Sequence, residues 1–324
     1  MLTFNMALKL VQDELKNLHF EQSPHSLFEP IEYILSLGGK RLRPVLSLLS
    51  CDLFGAEAPL YVRPILGFEV FHNFTLLHDD LMDKASMRRN QPTVHLKWNN
   101  NAAILSGDAM LIAAYQLIAE APDFCTKEIN ALFSKTAMEI CAGQQYDMEF
   151  ENRLDVTEAD YLEMIRLKTA VLLACALQAG ALLAKACPKD QASIYQFGIN
   201  IGMAFQLQDD LLDVYGDPKT FGKNIGGDIL CDKKTFLYIK AYKGANTTQK
   251  AELDKWLGFF PKDPNQKISA ITQIYNEMEL KTETEQLMTS YYNKAMSCLN
   301  DLTIPAERSN LLRKIAQNLL NRNS

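Results

Sequence analysis

The chain has little that bends it, crosslinks it or suits it to a polyanion in bulk. Its 324 residues hold fifteen glycines and twelve prolines, too few for a turn-rich all-β protein, and no Asn-Gly or Asp-Gly pair closes a tight hairpin. The seven cysteines, at 51, 125, 141, 175, 187, 231 and 298, form no Cys-x-x-Cys pair and are odd in number. That excludes a disulfide framework and suits a reduced, cytoplasmic setting. A net charge of −6 leaves no general basic surface, so nucleic acid is excluded as a bulk partner. The stretch MLTFNMALKLVQDELKNLHF lacks the apolar segment and cleavage site of a signal peptide. Pro/Ser-rich linkers and low-complexity tracts are missing too, and a single domain over 1–324 is expected.

What is there is helical and apolar. A hydrophobic content of 48% is ample for a large core. Breakers fall at GGKRLRP (38–44), FGAEAP (54–59), APDF (121–124), ACPKD (186–190), YGDPKTFGKNIGGD (215–228) and GFFPKDPNQ (258–266). Segments of helical length lie between them, and the expected class is all-α. One run, TAVLLACALQAGALLA from Thr169 to Ala184, is apolar enough to suggest a membrane span. It falls short of the roughly 20 residues a bilayer requires. A helix apolar on every side is what the centre of a large helical protein needs, so no transmembrane segment is expected, and no other run is expected to qualify as a candidate span.

Two stretches carry the same device. FTLLHDDLMD (74–83) and FQLQDDLLD (205–213) each set Asp-Asp-x-x-Asp after a Phe and a Leu. On a helix, Asp79 and Asp83 share a face, Asp80 stands to one side, and Asp209, Asp210 and Asp213 repeat the pattern. Carboxylates at i and i+4 repel each other, and the usual remedy is a hard divalent cation such as Mg²⁺ shared with substrate phosphates. A solvated charged face would explain one triplet. It does not explain two triplets in apolar sequence.

Cations gather around these acids. Arg88 and Arg89 follow the first triplet, and GGKRLRP supplies Lys40, Arg41 and Arg43 beside glycines that allow close backbone approach. Lys168 opens the apolar run, and Lys223 and Lys233 lie in FGKNIGGDILCDKKT. Arginine forks suit phosphate oxygens, and lysines act as point charges.

The order GGKRLRP, LLHDDLMDKASMRRNQPT, GQQYD, LKT, FQLQDDLLDVYGD and GKNIGGDILCDKKT strongly resembles the trans-isoprenyl diphosphate synthases, the head-to-tail polyprenyl synthetases. The resemblance covers about residues 30 to 240. One departure is Asn90, where the family usually has Gly after the arginine pair. The resemblance implies an all-helical isoprenoid synthase fold around a deep central cavity, usually a homodimer. It also implies three Mg²⁺ ions between the Asp motifs and an allylic diphosphate, whose ionisation gives a carbocation attacked by the double bond of isopentenyl diphosphate.

Carried onto this chain, the resemblance makes Asp79, Asp83 and Asp209 metal ligands, supported by Asp80, Asp210 and Asp213. Arg88, Lys168 and Lys223, with Lys233 nearby, are expected to hold the allylic diphosphate; Lys40, Arg43, His72 and Arg89 the isopentenyl diphosphate. Thr169 and Gln206 are expected to place oxygens where positive charge develops. Gln144 and Asp147 of GQQYD are secondary candidates. Phe74, five positions before Asp79, with Phe71 deeper and the small Thr75 beside it, is expected to limit product length to fifteen to twenty carbons, leaning to twenty, as in archaeal-type geranylgeranyl synthases. Medium- or long-chain synthesis is the alternative product class.

Other classes fit less well. His78-Asp79 resembles the start of His-Asp phosphohydrolases, but all five histidines lie within the first 95 residues. Terpene cyclases and head-to-head synthases share the fold, but the arginine pair and the GGKRLRP site for a second diphosphate argue for head-to-tail elongation. A non-catalytic subunit of a heteromeric synthase is the leading non-enzyme alternative, and the intact Asp motifs count against it.

Overall fold

The computed structural model describes residues 2–20, 23–217 and 225–320. These residues are almost all helical, as expected; the strands among them are Met87–Arg88 and Gln91–Pro92, one antiparallel hairpin. The chain divides into two compact units. One comprises Met1–Lys135, Cys175–Tyr195 and Thr303–Leu311, the other Thr136–Ala174, Gln196–Leu302 and Leu312–Ser324.

In the first unit, α1 (Phe4–Lys16), α2 (His25–Ser36) and α3 (Leu42–Leu53) precede α4 (Val62–Met82). The α4 helix is buried along most of its length, through Ile65, Leu66, Phe68, Val70, Phe71 and Leu77, which places it in the interior. After the hairpin and the single turn α5 (Val94–Lys97), α6 (Asn100–Ala119) packs along α4. The start of α6 is set by Asn99, whose side chain accepts from the Ala102 N–H at 2.9 Å and satisfies one of the donors left open at a helix start.

Two helices meet the length and composition of a membrane span. The stretch Glu158–Leu183, which contains most of the apolar run singled out above, has 72% of its apolar window buried, as a core helix should. Contrary to expectation, Asn100–Ala119 is a second such helix, with 39% buried. Ser106, Gly107 and Asp108 interrupt its apolar residues and mask the pattern in the sequence.

The second unit begins within α7 (Asp123–Glu151), continues through α8 (Glu158–Ile165) and a π turn at Arg166–Ala170 into the first turn of α9 (Val171–Leu183), and resumes at Gln196 within α10 (Pro188–Tyr215). Its core joins Leu207, Leu211 and Val214 of α10 to Phe236, Leu237, Ile271, Ile274 and Met288 of later helices. Thr157 and Asp160 form a reciprocal capping box at the start of α8, which fixes the approach to the π turn.

Candidate active site

The first Asp motif occupies the last turn of α4. Asp79 is partly buried, Asp83 is the exposed C-cap residue, and the Asp83 N–H donates to the Asp79 carbonyl at 2.8 Å. Asp80 points elsewhere. It is buried and accepts from Arg88 Nε at 3.0 Å and from a terminal Arg88 nitrogen. Burial pushes the Asp80 carboxyl above its ordinary range and the Arg88 guanidinium pulls it back. Asp80 is therefore paired with Arg88.

Arg88 belongs to the hairpin, whose turn residues Arg89 and Asn90 have φ of 52° and 61°. Two successive left-handed residues match the twist of a two-residue hairpin. Asn tolerates this conformation better than other side chains apart from Gly, so the departure at Asn90 preserves the turn. Tyr33 anchors the hairpin by donating to the Pro92 carbonyl at 2.8 Å, and Thr93 Oγ1 donates to the Ala85 carbonyl at 2.7 Å. Asn90→Gly is expected to change stability by no more than about 1 kcal/mol, whereas the β-branched Asn90→Val should cost about 1–3 kcal/mol. Urea unfolding of the two variants checks this.

Arg89 donates to the Gly38 carbonyl and brings the hairpin to the GGKRLRP loop. Gly39, at φ 127°, has to be glycine: a Cβ there would meet Arg89 Nη2 at 2.8 Å. Arg43 lies in the first turn of α3 with a buried Nε that lacks a protein partner, which fits an anionic ligand oxygen. Burial lowers the Arg43 pKa to about 10, against the opposing field of Glu69. Desolvation, then repulsion from Arg43, Arg89, Arg88 and Arg41, holds His72 well below its ordinary pKa. His72 is thus neutral, and it completes a cluster with the expected members Arg43, Arg88 and Arg89. Arg41, grouped with these cations in the sequence, instead turns into the interior.

Below the motif, rings stack down α4. His78 meets Phe74 at 4.8 Å between centroids, Phe74 meets Phe71 at 5.4 Å, and Phe71 meets Phe133 at 5.0 Å. Tyr115 closes the stack against Phe133 at 4.8 Å. Thr75 is tied back to the His72 carbonyl at 2.8 Å. Phe133 and Tyr115 lie on α7 and α6, too far along the chain for helical spacing from Phe71 and Phe74 to reveal them.

In the second unit, the second Asp motif likewise falls near the end of a long helix, α10. Asp209 is partly buried, while Asp210 and Asp213 are buried. Asp213 accepts from the Asp228 N–H at 3.0 Å and its carbonyl accepts from the Gly226 N–H at 2.6 Å, so it holds the turn that follows. Asp210 accepts from the Tyr161 hydroxyl and from Gln206 Nε2 at 3.3 Å, and Thr169 Oγ1 donates to Gln206 Oε1 at 3.0 Å. Burial and the nearby Asp228 push the Asp210 carboxyl up to about 8.

The π turn explains how Lys168 and Thr169 share this site. Its extra residue shifts the side chains relative to a regular helix, and Gly143 lets α7 approach so closely that a Cβ would lie 2.5 Å from the Lys168 nitrogen. Lys168 Nζ pairs with Asp147 at 2.6 Å. Burial pushes the Asp147 carboxyl up, but Lys233 and Lys168 outweigh it and hold it below its ordinary range. Asp147 therefore positions Lys168. Lys223 lies outside the described residues. Local spacing cannot reveal Tyr161, because its partner, Asp210, is 49 residues away.

Tyr161→Phe is expected to lower kcat about tenfold and leave both Michaelis constants nearly unchanged. The loss of one donor to a buried carboxyl is worth about 1–3 kcal/mol, and it loosens Gln206 and Thr169 without touching the lysines and arginines of the site. Steady-state kinetics with each substrate varied checks this.

The donor set fits magnesium. Each motif offers carboxylate oxygens at a helix C-terminus whose last turn carries no basic residue, and the helix dipole adds attraction for a cation there. Among the described residues no three His, Cys, Asp or Glu side chains form a preformed metal cage. Magnesium seldom needs one, because it binds through one or two carboxylates, waters and substrate phosphates.

The polyprenyl synthetase family pattern matches residues 24–278. The chain belongs to the polyprenyl synthetase family. It is 36% identical over 304 residues to the geranylgeranyl diphosphate synthase of Sulfolobus acidocaldarius, covering 93% of this chain and 91% of that one. A crystal structure of a geranylgeranyl pyrophosphate synthase superposes with a TM-score of 0.94 at 43% identity, covering all of both chains. The polyprenyl synthase from Caulobacter crescentus CB15, solved with calcium and isoprenyl diphosphate, is 26% identical with a TM-score of 0.85, covering 98% of this chain and 94% of that one. As a polyprenyl synthetase with an isoprenoid synthase fold, the chain carries its Asp motifs, cation loop and hairpin inside the matched region.

Proposed function

We propose that this polyprenyl synthetase elongates an allylic diphosphate with isopentenyl diphosphate, head to tail, to give an all-trans product of fifteen to twenty carbons, with twenty preferred. It is a short-chain prenyltransferase. The observation that carries the detailed reading is duplication: two Asp triplets, each near the C-terminal end of a long helix, each with a buried Asp (Asp80, Asp210) fixing neighbouring groups.

Asp79, Asp83 and Asp209 would hold three Mg²⁺ ions, supported by Asp80, Asp210 and Asp213. When bound, the ions neutralise the diphosphate as it leaves. Arg88, Lys168, Lys223 and Lys233 bind the allylic diphosphate, and Asp147 keeps Lys168 in place. Lys40, Arg43, Arg89 and the neutral His72 bind isopentenyl diphosphate. Thr169 donates its proton to Gln206, which leaves its oxygen lone pairs available to the developing allylic cation. The departing diphosphate takes the proton lost when the new double bond forms.

We further propose that the chain works as one catalytic domain over 1–324 and as a homodimer in the cytoplasm. The α6 residues Ile104, Leu105 and Ile112 are exposed and lie on one helical face, which suits a second copy. All seven cysteines are free, as a reducing compartment requires.

Pyrophosphate release tests the reaction class. It is expected to require Mg²⁺, an allylic diphosphate and isopentenyl diphosphate together. Phosphate release from one diphosphate alone would instead identify a phosphohydrolase.

A further inference from the structure

Arg41 stands between Lys40 and Leu42 in the cation loop, yet its side chain is 5% exposed and both of its terminal nitrogens are engaged inside the protein. Nη1 donates to Glu69 Oε1 at 2.6 Å and Nη2 to the Leu35 carbonyl at 2.5 Å. Glu69, itself 2% exposed, lies on α4 and also accepts from Asn73 Nδ2 at 3.0 Å. Asn73 Nδ2 in turn donates to the Glu69 carbonyl at 2.8 Å, which fixes the carboxylate. Arg41 has φ 48° and is the N-cap residue of α3. One buried carboxylate thus ties together the end of α2, the start of α3 and α4 next to His72.

We propose that Arg41 and Glu69 are a positioning pair that holds the Gly38–Arg43 loop in its diphosphate-binding shape, with Arg41 itself making no contact with the ligand. The inference rests on the reading of Lys40 and Arg43 as ligands of isopentenyl diphosphate. Three observations support it. Open space adjoins the loop: a cavity of about 660 Å³ is lined by Gln12, Leu15, His19, Leu35, Gly39 and Arg41. The buried Arg41 side chain is therefore an anchor from within. The left-handed backbone at Arg41 is unfavourable for a side chain of this size, and the two hydrogen bonds offset that cost. Finally, Arg43 and Arg89 both feel the opposing field of Glu69, while Arg41 repels Arg89 and His72. The Glu69 carboxylate lets several like charges stay close before any anion arrives.

A purely structural ion pair and a positioning pair differ in one respect. Replacing a buried pair by two apolar residues of similar volume commonly preserves or improves stability, so such a change repairs a structural role but not a positional one. The test compares R41M/E69M with Glu69→Gln, measuring thermal melting and the Michaelis constants for isopentenyl and allylic diphosphates. The expected result is that the double variant melts near the wild type, yet its Michaelis constant for isopentenyl diphosphate rises about tenfold or more, with the allylic constant within about twofold. Glu69→Gln is expected to give the same selective rise, and it decides the matter if the double variant does not fold. A wild-type isopentenyl constant in a folded variant, or an equal rise for both substrates, overturns the proposal. Lys40→Ala and Arg43→Ala serve as controls. If they too leave the isopentenyl constant unchanged, the ligand assignment fails and this inference falls with it; if they raise it while R41M/E69M does not, the positioning role alone is refuted.

Discussion

Asp79→Ala and Asp209→Ala are each expected to lower kcat about 10²-fold or more while leaving the helical circular dichroism and melting temperature close to wild type. Both side chains are partly buried near the ends of long helices, each beside its acidic neighbours in the motif. Neither is a buried apolar side chain, so its removal leaves no cavity in the core. Asp80→Ala and Asp210→Ala would behave differently, because those residues hold Arg88, Tyr161 and Gln206 and their loss leaves buried donors without acceptors. Assays at saturating Mg²⁺ check the comparison. Near-wild-type turnover in either Asp79→Ala or Asp209→Ala would remove that carboxylate from the metal-binding set.

Phe74→Ala is expected to shift the product distribution to longer chains without loss of pyrophosphate release. Phe74 lies about 7.5 Å along the helix from Asp79 and is the first large ring below His78. Removing it opens space below the motif and takes away no charged group. The gain should be limited, because Phe71 remains packed against Phe133, which is itself held by Tyr115. Phe71→Ala is then expected to cost more stability, about 3–5 kcal/mol for a fully buried ring, since it breaks the stack itself. Chromatography of the products by carbon number tests the assignment. An unchanged distribution in Phe74→Ala would clear that residue of the role.

These residues also show what could be read in advance. The Asp motifs, the cation loop and the arginine pair are local patterns. Helical spacing alone puts Asp79 and Asp83 on one face, and the Gly38–Gly39 pair announces a close approach. What escaped the sequence reading depends on contacts between distant segments or on a local shift in helical register. Nothing in Arg-Leu-Lys-Thr-Ala specifies a π turn, and a regular helix would aim Lys168 and Thr169 differently. Tyr161 acquires its meaning from Asp210, and Phe133 from Phe71. Arg41 is the clearest case: in the sequence it is one more cation beside Lys40, and only Glu69, 28 positions away, turns it inward. The Asn90 departure is harmless for a local reason, the tolerance of Asn for left-handed backbone.

The central claim is that this chain joins two diphosphates into a short all-trans prenyl chain. The most direct measurement incubates purified protein with labelled isopentenyl diphosphate, Mg²⁺ and each allylic primer in turn, then resolves the products by chain length. The account predicts Mg²⁺-dependent products ending at fifteen to twenty carbons, with twenty dominant. Products beyond about twenty-five carbons would contradict the short-chain assignment, and absence of elongation with every primer would contradict the enzyme itself.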